Sequence, residues 1–322
     1  MRKSIALAGA TLIVSAGIHA AAAQIVGLGT NPPGNYTHSA GAAIAGVVST
    51  KTGMQVRVQP YGGSSVYVPL IDNGELDLGF VNAVETTLAI EGSELFQNRK
   101  AQNLRAVSLV VPFVVMFYVK KDSPLRTMAD LKGKTIPGGY ASQQILTHMN
   151  RALFANGGYD IGDMKLLPVP NNGRGADEFA AGKTDAFYFS IGAGKVREID
   201  AAVGGVRAIG IDGSPEAIAR MKKVLPLSYP MRVEPSPAYP GVLEPTTFMA
   251  FDYMIIAAAK TSDEVIYKFV KTMHESREEM IAAFAPLRDF DPKKMANPLP
   301  GVTYHPGALK FYREAGLAKA GD

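Results

Sequence analysis

Polar side chains suited to holding a small anion occur in four short loops that are rich in Gly, Asn, Ser and Tyr. The loops span 30–36, 61–65, 137–143 and 171–175. Each precedes a predicted helix, whose unpaired N–H groups and partial positive charge favour an anion. Arg174 lies between two glycines and carries a planar guanidinium that can hold a carboxylate through two hydrogen bonds. An exposed ion pair with Asp177 is the alternative role for this arginine.

The side chains predicted to line this site come from those loops and from two strand ends. They are Thr30, Asn31, Tyr36, Ser64, Ser65, Asn82, Tyr140, Ser142, Gln143, Arg174 and Ser190. Arg174 and the helix N-terminal amides are expected to hold the anion. Tyr61, Tyr140 and Tyr188 are candidates for apolar walls, with packing in the core as the equal alternative.

Residue patterns typical of catalysis or metal binding are missing from the sequence. The chain has no cysteine, which excludes thiolate ligands, thiol nucleophiles and disulfides. The Gly-Lys-Thr segments at 133–135 and 182–184 lack the earlier glycine of a phosphate-binding loop. The histidines at 38, 148, 274 and 305 lack metal-ligand spacing, and no serine lies in a Gly-x-Ser-x-Gly turn. We expect no cofactor or metal; an exported hydrolytic enzyme with a triad from distant residues is a remote alternative.

The binding loops belong to a repeated unit of the sequence. Residues 56–82 and 165–190 each show a β run, a loop, a short helix and a second β run introduced by Gly-x-x-Asp. In each copy the two strands are predicted to lie parallel in one sheet. Because ligands bind beyond the carboxyl ends of parallel strands, two such sheets facing each other predict a cleft.

Two long apolar runs, at 104–120 and 248–259, predict strands that cross between the lobes. Pro112 predicts a bend that separates the crossing strand 114–119 from an earlier strand. Six prolines between 225 and 245 predict an extended loop without regular structure. The predicted organisation is α/β, with residues 24–112 plus 246–322 in the first lobe and 113–245 in the second.

The first 23 residues have the pattern of an export signal. Arg2 and Lys3 precede an apolar stretch at 5–18, and a run of alanines ends at Ala23, where cleavage is predicted. The apolar stretch is shorter than the ~20 residues that span a bilayer. The sequence therefore predicts a periplasmic protein that does not itself span the membrane. The 33 basic residues are scattered, which gives no indication of nucleic-acid binding.

Several segments together resemble the TAXI family of solute-binding proteins of TRAP transporters. Besides the exported start, they are Gly-Thr-x-x-x-Gly-x-Tyr at 29–36, Gly-Gly-Ser-Ser at 62–65, Asn-Gly-Glu-Leu-Asp-Leu at 73–78, Asp-Leu-Lys-Gly-Lys at 130–134, Gly-Lys-Thr-Asp-Ala at 182–186, His-Pro-Gly-Ala at 305–308 and Phe-Tyr-Arg at 311–313. The resemblance covers 25–316. The chain departs from the family pattern at 30–35 and 138–143, which are two of the predicted ligand loops.

The resemblance implies the type II periplasmic-binding-protein fold, in which two α/β lobes joined by two hinge strands surround a ligand cleft. It also implies that the protein captures a small anionic or zwitterionic solute, such as glutamate, glutamine or a related dicarboxylate. The implied partners are the membrane subunits of a TRAP transporter, and we expect the receptor to be a monomer. The nearer alternative is the same fold serving an ABC importer for another small metabolite.

Overall fold

The computed structural model describes residues 24–318, so the predicted export signal at 1–23 lies outside the described residues. The strands are β1 (Ile25–Thr30), β2 (Gln55–Pro60), β3 (Leu78–Asn82), β4 (Leu104–Lys120), β5 (Thr135–Gly139), β6 (Lys165–Val169), β7 (Phe187–Ser190), β8 (Val206–Ile209), β9 (Tyr229–Val233) and β10 (Thr246–Ala258). The helices are α1 (Tyr36–Thr52), α2 (Ser64–Asp72), α3 (Ala83–Glu91), α4 (Ile145–Asn156), α5 (Asn172–Ala180), α6 (Gly194–Val203), α7 (Pro215–Val224), α8 (Asp263–Glu275), α9 (Arg277–Ala283) and α10 (Pro306–Glu314). Short 3₁₀ turns occupy Glu94–Phe96, Ala129–Leu131, Ile161–Asp163, Ala285–Asp289 and Pro292–Lys294.

The main sheet has eight strands and passes through both lobes. Its central path is β2-β1-β3-β10-β4-β7, with β8 also paired to β4 and β9 to β10. In the first lobe β2 and β3 both run parallel to β1, and β10 runs antiparallel to β3. Strand β3 is buried on both faces, which agrees with its apolar sequence and with helices covering the sheet.

Strands β4 and β10 are the two connections between the lobes. They pair antiparallel from Leu104 opposite Ala258 to Val115 opposite Met249. The first part of β4 pairs with the same part of β10 that pairs with β3 in the first lobe. The far end of β4 pairs with β7 and β8. Two α/β lobes joined by two long strands are the type II periplasmic-binding-protein fold.

Pro112 does not break the crossing strand, so the predicted bend is wrong. It lies inside the 17-residue strand β4, opposite Asp252. The pairing changes register close by, between Tyr253 and Met254 of β10. A proline lacks an N–H group, so it fits best where the ladder of hydrogen bonds is already irregular.

The repeated unit folds as predicted in the first copy only. Strands β2 and β3 share a sheet, whereas β6 pairs with β5 in a separate two-stranded sheet and β7 pairs antiparallel with β4. What the copies share is the aspartate of Gly-x-x-Asp. Asp77 Oδ2 accepts the N–H of Gly27 at 2.8 Å, and Asp185 Oδ2 accepts the N–H of Thr135 at 2.8 Å. Asp77 thus holds β1 and Asp185 holds β5, and each of these strands leads into a predicted ligand loop.

The proline-rich segment contains a strand, which corrects the prediction of an extended loop throughout. Strand β9 includes Pro230 and pairs antiparallel with β10. It lies at the edge of the sheet, where a missing N–H group is tolerated. Within residues 24–318 no helix is both long enough and apolar enough to cross a membrane.

Candidate ligand-binding cleft

A small cavity lies between the two lobes. Its polar lining consists of Asn31, Asn35, Thr37, Gln143, Asn172 and Ser190. Its apolar and aromatic lining consists of Phe113, Ile145, Leu146, Met149, Tyr188 and Tyr253. Both lobes and both hinge strands therefore contribute, and none of these side chains carries a formal charge at neutral pH. The cavity volume is ≈ 10 Å³, which is about the room that one water needs.

The cavity is small because the lobes are closed on each other. The N–H of Gln144 donates to Ser65 Oγ at 3.0 Å, and Asn171 Nδ2 donates to the Gly62 carbonyl at 3.1 Å. On another side of the cleft, the N–H of Lys195 donates to the Gly34 carbonyl at 3.0 Å. Each bond joins a first-lobe segment to a second-lobe segment, so the two lobes are in direct contact across the cleft.

The amino terminus of α1 reaches the cavity without a cap. The side chain of its N-cap residue, Asn35, makes no capping bond and instead donates to the Pro32 carbonyl at 3.2 Å. The N–H of Ser39, bonded to the Asn35 carbonyl at 3.3 Å, is the first helical amide with a backbone acceptor. Asn35 is 5% exposed and Thr37 1% exposed. A buried helix end without a cap leaves N–H groups that a ligand can satisfy.

Two amide oxygens of the cavity lining also lack a partner. Asn31 Oδ1 and Asn172 Oδ1 are buried and accept no hydrogen bond from the described residues. The neighbouring amide Gln143 is already engaged, because its Oε1 accepts the N–H of Asn172 at 3.4 Å. Buried polar groups without partners are costly, so these two amides offer hydrogen-bonding groups to a bound molecule.

A buried carboxyl group lies beside the cleft, in the first lobe. Glu85 is fully buried and its Oε2 accepts from Asn82 Nδ2 at 3.1 Å. Burial raises the pKa of Glu85 to about 7, and hydrogen bonds from Ser64, Asn82 and Ser65 oppose that rise. Asn82 also caps α3 by accepting the N–H of Glu85 at 2.7 Å. The cluster connects to the cavity through Ser65, which bonds Gln144 across the cleft, and through the nearby Tyr253.

The structure brings seven of the predicted site residues to the cavity, its rim or the Glu85 cluster. Asn31, Gln143 and Ser190 line the cavity. Ser65 and Ser142 lie at the rim, where Ser142 contacts the backbone of the 62–63 glycine pair. Ser64 and Asn82 bond Glu85. Of the three tyrosines considered as walls, Tyr188 lines the cavity, while its hydroxyl donates to Met149 Sδ at 3.2 Å.

Three other predicted residues are buried and bonded within their own lobe instead of lining the cavity. Thr30 Oγ1 donates to the Asn31 carbonyl at 3.1 Å, and the Tyr36 hydroxyl donates to the Pro286 carbonyl at 3.3 Å. The Tyr140 hydroxyl donates to the Pro137 carbonyl at 2.8 Å. These contacts hold the loops that carry the lining residues, so the three side chains support the site without lining the cavity.

Arg174 does not lie among the cavity-lining residues, and its side chain is 57% exposed. Its Nη1 lies 3.1 Å from Asp177 Oδ2, and its Nη2 lies 3.1 Å from Glu178 Oε1. These are the i,i+3 and i,i+4 partners on the surface of α5, which direct the guanidinium along the helix. The structure therefore shows the ion-pair alternative for this residue.

Sequence reasoning did not single out Asn35, Thr37 and Asn172, although all three lie in or next to the predicted loops. It also missed Glu85, whose Asn-x-x-Glu spacing from Asn82 matches a helix-capping pattern. The lining residues Phe113 and Tyr253 come from the hinge strands, with ring centroids 4.0 Å apart. Their apolar surroundings in sequence give no signal that they face a ligand.

Comparison with solved structures supports the fold. A structure described as a periplasmic transporter has a TM-score of 0.58 and 14% identity, covering 92% of this chain and 94% of that chain. PhnD1 from Prochlorococcus marinus, in complex with methylphosphonate, has a TM-score of 0.55 and 10% identity, with 92% and 99% covered. The amino acid ABC transporter substrate-binding protein AbpA from Streptococcus pneumoniae, bound to L-arginine, has a TM-score of 0.53 and 12% identity, with 82% and 94% covered.

At these identities the similarity shows a shared fold. Family membership comes from a different comparison, which uses the sequence. The model of the NMT1-like family matches residues 28–316 and so includes nearly all of the described chain. The protein therefore belongs to the NMT1-like family.

Proposed function

We propose that this protein is an exported receptor that captures a small carboxylate or amino acid between its lobes and delivers it to a TRAP membrane permease. The observation that carries the proposal is the cavity between the lobes at the uncapped amino terminus of α1. Unpaired N–H groups in a buried place favour an anionic group of the solute. The resemblance to the TAXI family supports the TRAP partner and the class of glutamate, glutamine and related acids.

Closure of the lobes supplies the signal that a receptor needs. A solute that contacts both lobes stabilises the closed form, and the permease would recognise that form. The three hydrogen bonds across the cleft support this proposal, because they join the two lobes directly. The lobes themselves are proposed to comprise residues 24–112 plus 246–322 and residues 113–245.

The second candidate is a receptor of the same fold for an ABC importer. It is favoured by the similarity to AbpA, whose description names an amino acid ABC transporter and bound arginine. A TRAP permease uses an ion gradient, whereas an ABC importer hydrolyses ATP. Uptake by proteoliposomes that contain the membrane protein encoded beside this gene separates the two: dependence on an ion gradient supports the first candidate, and dependence on ATP supports the second.

Native mass spectrometry tests the receptor function directly. The mature protein is purified from its host and weighed before and after unfolding and refolding, which strips bound solute. The stripped protein is then melted with a panel of amino acids and small carboxylates. A solute at 100 times its Kd adds about 2.7 kcal/mol, a rise of several degrees. A co-purified small acid that restores the melting temperature supports the proposal, and a panel without any shift contradicts it.

A further inference from the structure

We infer that Glu85 is a positioning residue of the cleft, and that the lobes close on the solute with uptake of a proton at its carboxyl group. This inference rests on the proposed receptor function and adds a dependence on pH to it. It follows from the burial of Glu85, from the hydrogen bonds that connect it to the cleft, and from the way the second lobe covers those bonds. The surrounding buffer supplies the proton, which binds to a carboxylate oxygen and neutralises the group.

Glu85 lies in a polar cluster without a compensating cation. Its side chain is 0% exposed, and none of the salt bridges formed within residues 24–318 includes it. Among the same residues, the titratable groups that face it are the hydroxyls of Tyr67 on α2 and Tyr253 on β10. Burial raises the pKa of both phenols above their usual value of 10, so neither is charged near neutral pH. Such surroundings favour the neutral form of a carboxyl group.

Two side chains connect this cluster to the cleft. Ser65 forms a hydrogen bond with Glu85, and its Oγ also accepts the N–H of Gln144 in the second lobe at 3.0 Å. A hydroxyl can make both bonds at once, because it has one proton to donate and lone pairs that accept. Asn82 donates to Glu85 Oε2 at 3.1 Å and also bonds Tyr253, whose side chain lines the cavity. Glu85 therefore positions one side chain that joins the lobes and another that supports the cavity wall.

The second lobe covers the start of α2, where the cluster meets the cleft. Gly63 is buried there, and a Cβ atom at this position would overlap the Ser142 carbonyl group and lie 2.8 Å from Gln143 Cβ. When the lobes part, these neighbours leave and water reaches Ser65 and the carboxyl group behind it. Water stabilises the charged form of a carboxyl more than its neutral form, so the open protein holds the proton less tightly. Closing therefore takes up a proton.

The sign of the pH dependence follows from the two forms. In the closed form burial raises the pKa of Glu85 to about 7, and the better hydrated open form has a lower pKa. The proton-linked gain in affinity is therefore fully present below the pKa of the open form. It is lost as the pH rises through the pKa of the closed form.

Calorimetric titration of the stripped, full-length mature protein with L-glutamate and with L-glutamine measures this linkage. Titrations in phosphate and in Tris, which differ in heat of ionisation, give the number of protons taken up. We expect uptake near pH 7 and a loss of about tenfold in affinity between pH 5 and pH 8.

Glu85→Gln is the matched variant, because its amide has the shape of the neutral carboxyl and cannot ionise. It should show no uptake from this position and should bind about tenfold more tightly than the native protein at pH 8. Loss of a side chain that only supported the fold would not give such a gain. Identical pH profiles for the two proteins overturn the inference.

A second measurement needs no solute, so it separates this inference from the receptor proposal. Glutamate side chains are labelled with ¹³C at Cδ, and the Glu85 signal is assigned by its absence in Glu85→Gln. The signal is titrated in oxidised Gly62→Cys with Ser142→Cys, whose Cβ atoms are 3.2 Å apart across the cleft, and in Gly63→Ala, where the added Cβ holds the lobes apart.

We expect the midpoint of the Glu85 titration to lie about one pH unit higher in the linked protein than in Gly63→Ala. Equal midpoints overturn the inference and leave the receptor proposal standing. If neither amino acid binds and the midpoints still differ, the proposed solute class is wrong, while proton uptake on closing is supported.

Discussion

At the scale of single residues, Glu85 has a side chain whose protonation state changes near neutral pH. Its carboxyl is fully buried, and burial raises its pKa from 4.5 to about 7 against hydrogen bonds from Ser64, Asn82 and Ser65. The protonated form is therefore favoured in the folded protein. The protonated Glu85 carboxyl therefore stabilises the folded state. This stabilisation is fully present below pH ~4.5 and is lost as the pH rises through about 7.

We expect Glu85→Gln to flatten this pH dependence, because the amide keeps the shape of the side chain and cannot ionise. Relative to the native protein, the variant should gain unfolding free energy between pH 5 and pH 8, by roughly 2–3 kcal/mol. Urea unfolding of both proteins at several pH values in that range measures the difference. Because the two proteins are compared, the contributions of the other titrating groups to the pH dependence of the unfolding free energy cancel. These groups include His38 and His305, whose pKa values are lowered by burial. Parallel curves would show that Glu85 does not titrate in the folded state.

Arg174 illustrates how a residue can satisfy a binding pattern and still serve another role. Its flanking glycines and its place at a helix start predicted an anion contact, while the fold directs it to Asp177 and Glu178. We expect Arg174→Ala to change the solute affinity by less than about twofold and the unfolding free energy by less than about 1 kcal/mol, as for exposed ion pairs. Calorimetry measures the affinity and urea unfolding measures the unfolding free energy. A tenfold loss of affinity would instead indicate that Arg174 contacts the solute.

At the scale of elements, the start of α2 determines how closely the lobes approach. A Cβ atom at Gly63 would lie 2.0 Å from the Ser142 carbonyl oxygen and 2.7 Å from its carbon, both of them backbone atoms. Gly63 has an extended backbone, with φ of 171°, so an alanine there is strained by the neighbouring lobe and not by its own conformation. The glycine is needed for closure.

Gly63→Ala should therefore hold the lobes apart, lowering solute affinity at least tenfold and increasing the radius of gyration measured by small-angle scattering. The melting temperature without solute should change little, because opening relieves the contact. Gly62→Ala is the matched control: its Cβ would lie 3.2 Å from Ser142 Cβ, which small movements can accommodate. Equal affinities for the two variants would argue against closure on the solute.

The sequence patterns predict elements well where a local rule decides them. The spacing of apolar residues and Gly53 predict α1, and Gly53 has the left-handed conformation (φ 74°) that ends a helix. Local rules fail where a contact with a residue distant in sequence determines which residue caps a helix. A serine just before an apolar run is a typical N-cap, yet the N-cap of α2 is Gly63, and Ser64 and Ser65 instead form hydrogen bonds with Glu85. The spacing of Thr261 and Glu264 is that of a capping box, yet the Thr261 hydroxyl donates to the Asp77 carbonyl and Ser262 is the N-cap of α8.

At the scale of the whole molecule, the fold confirms the two predicted lobes, although only the first copy of the repeated unit has both of its strands in one sheet. The two aspartates of Gly-x-x-Asp each support a strand 50 residues earlier in the chain, which is why the resemblance between the copies is visible in the sequence. The binding cavity was less predictable, because it depends on how the lobes meet. Asn171 bonding Gly62, 109 residues away, has no local sequence signal.

Closure of the whole molecule also predicts that a covalent link across the cleft will keep the solute out of the cavity. The Cβ separation of 3.2 Å between positions 62 and 142 is slightly short of the usual ~3.5–4.5 Å for a disulfide, so the pair needs only a small shift. The chain has no native cysteine to compete for the bond. Gly62→Cys with Ser142→Cys should thus oxidise to a single defined link between the lobes.

We expect the oxidised double variant, stripped of solute, to bind none within the time of a calorimetric titration, and the same sample after reduction to bind. Each single-cysteine variant controls for the substitution itself. Because the closed cavity has room for about one water, entry requires the lobes to part, and the disulfide prevents it. Binding by the oxidised, stripped protein at the native rate would mean that solute reaches the cavity by a route that leaves both lobes in place, and recognition by lobe closure would then have to be abandoned.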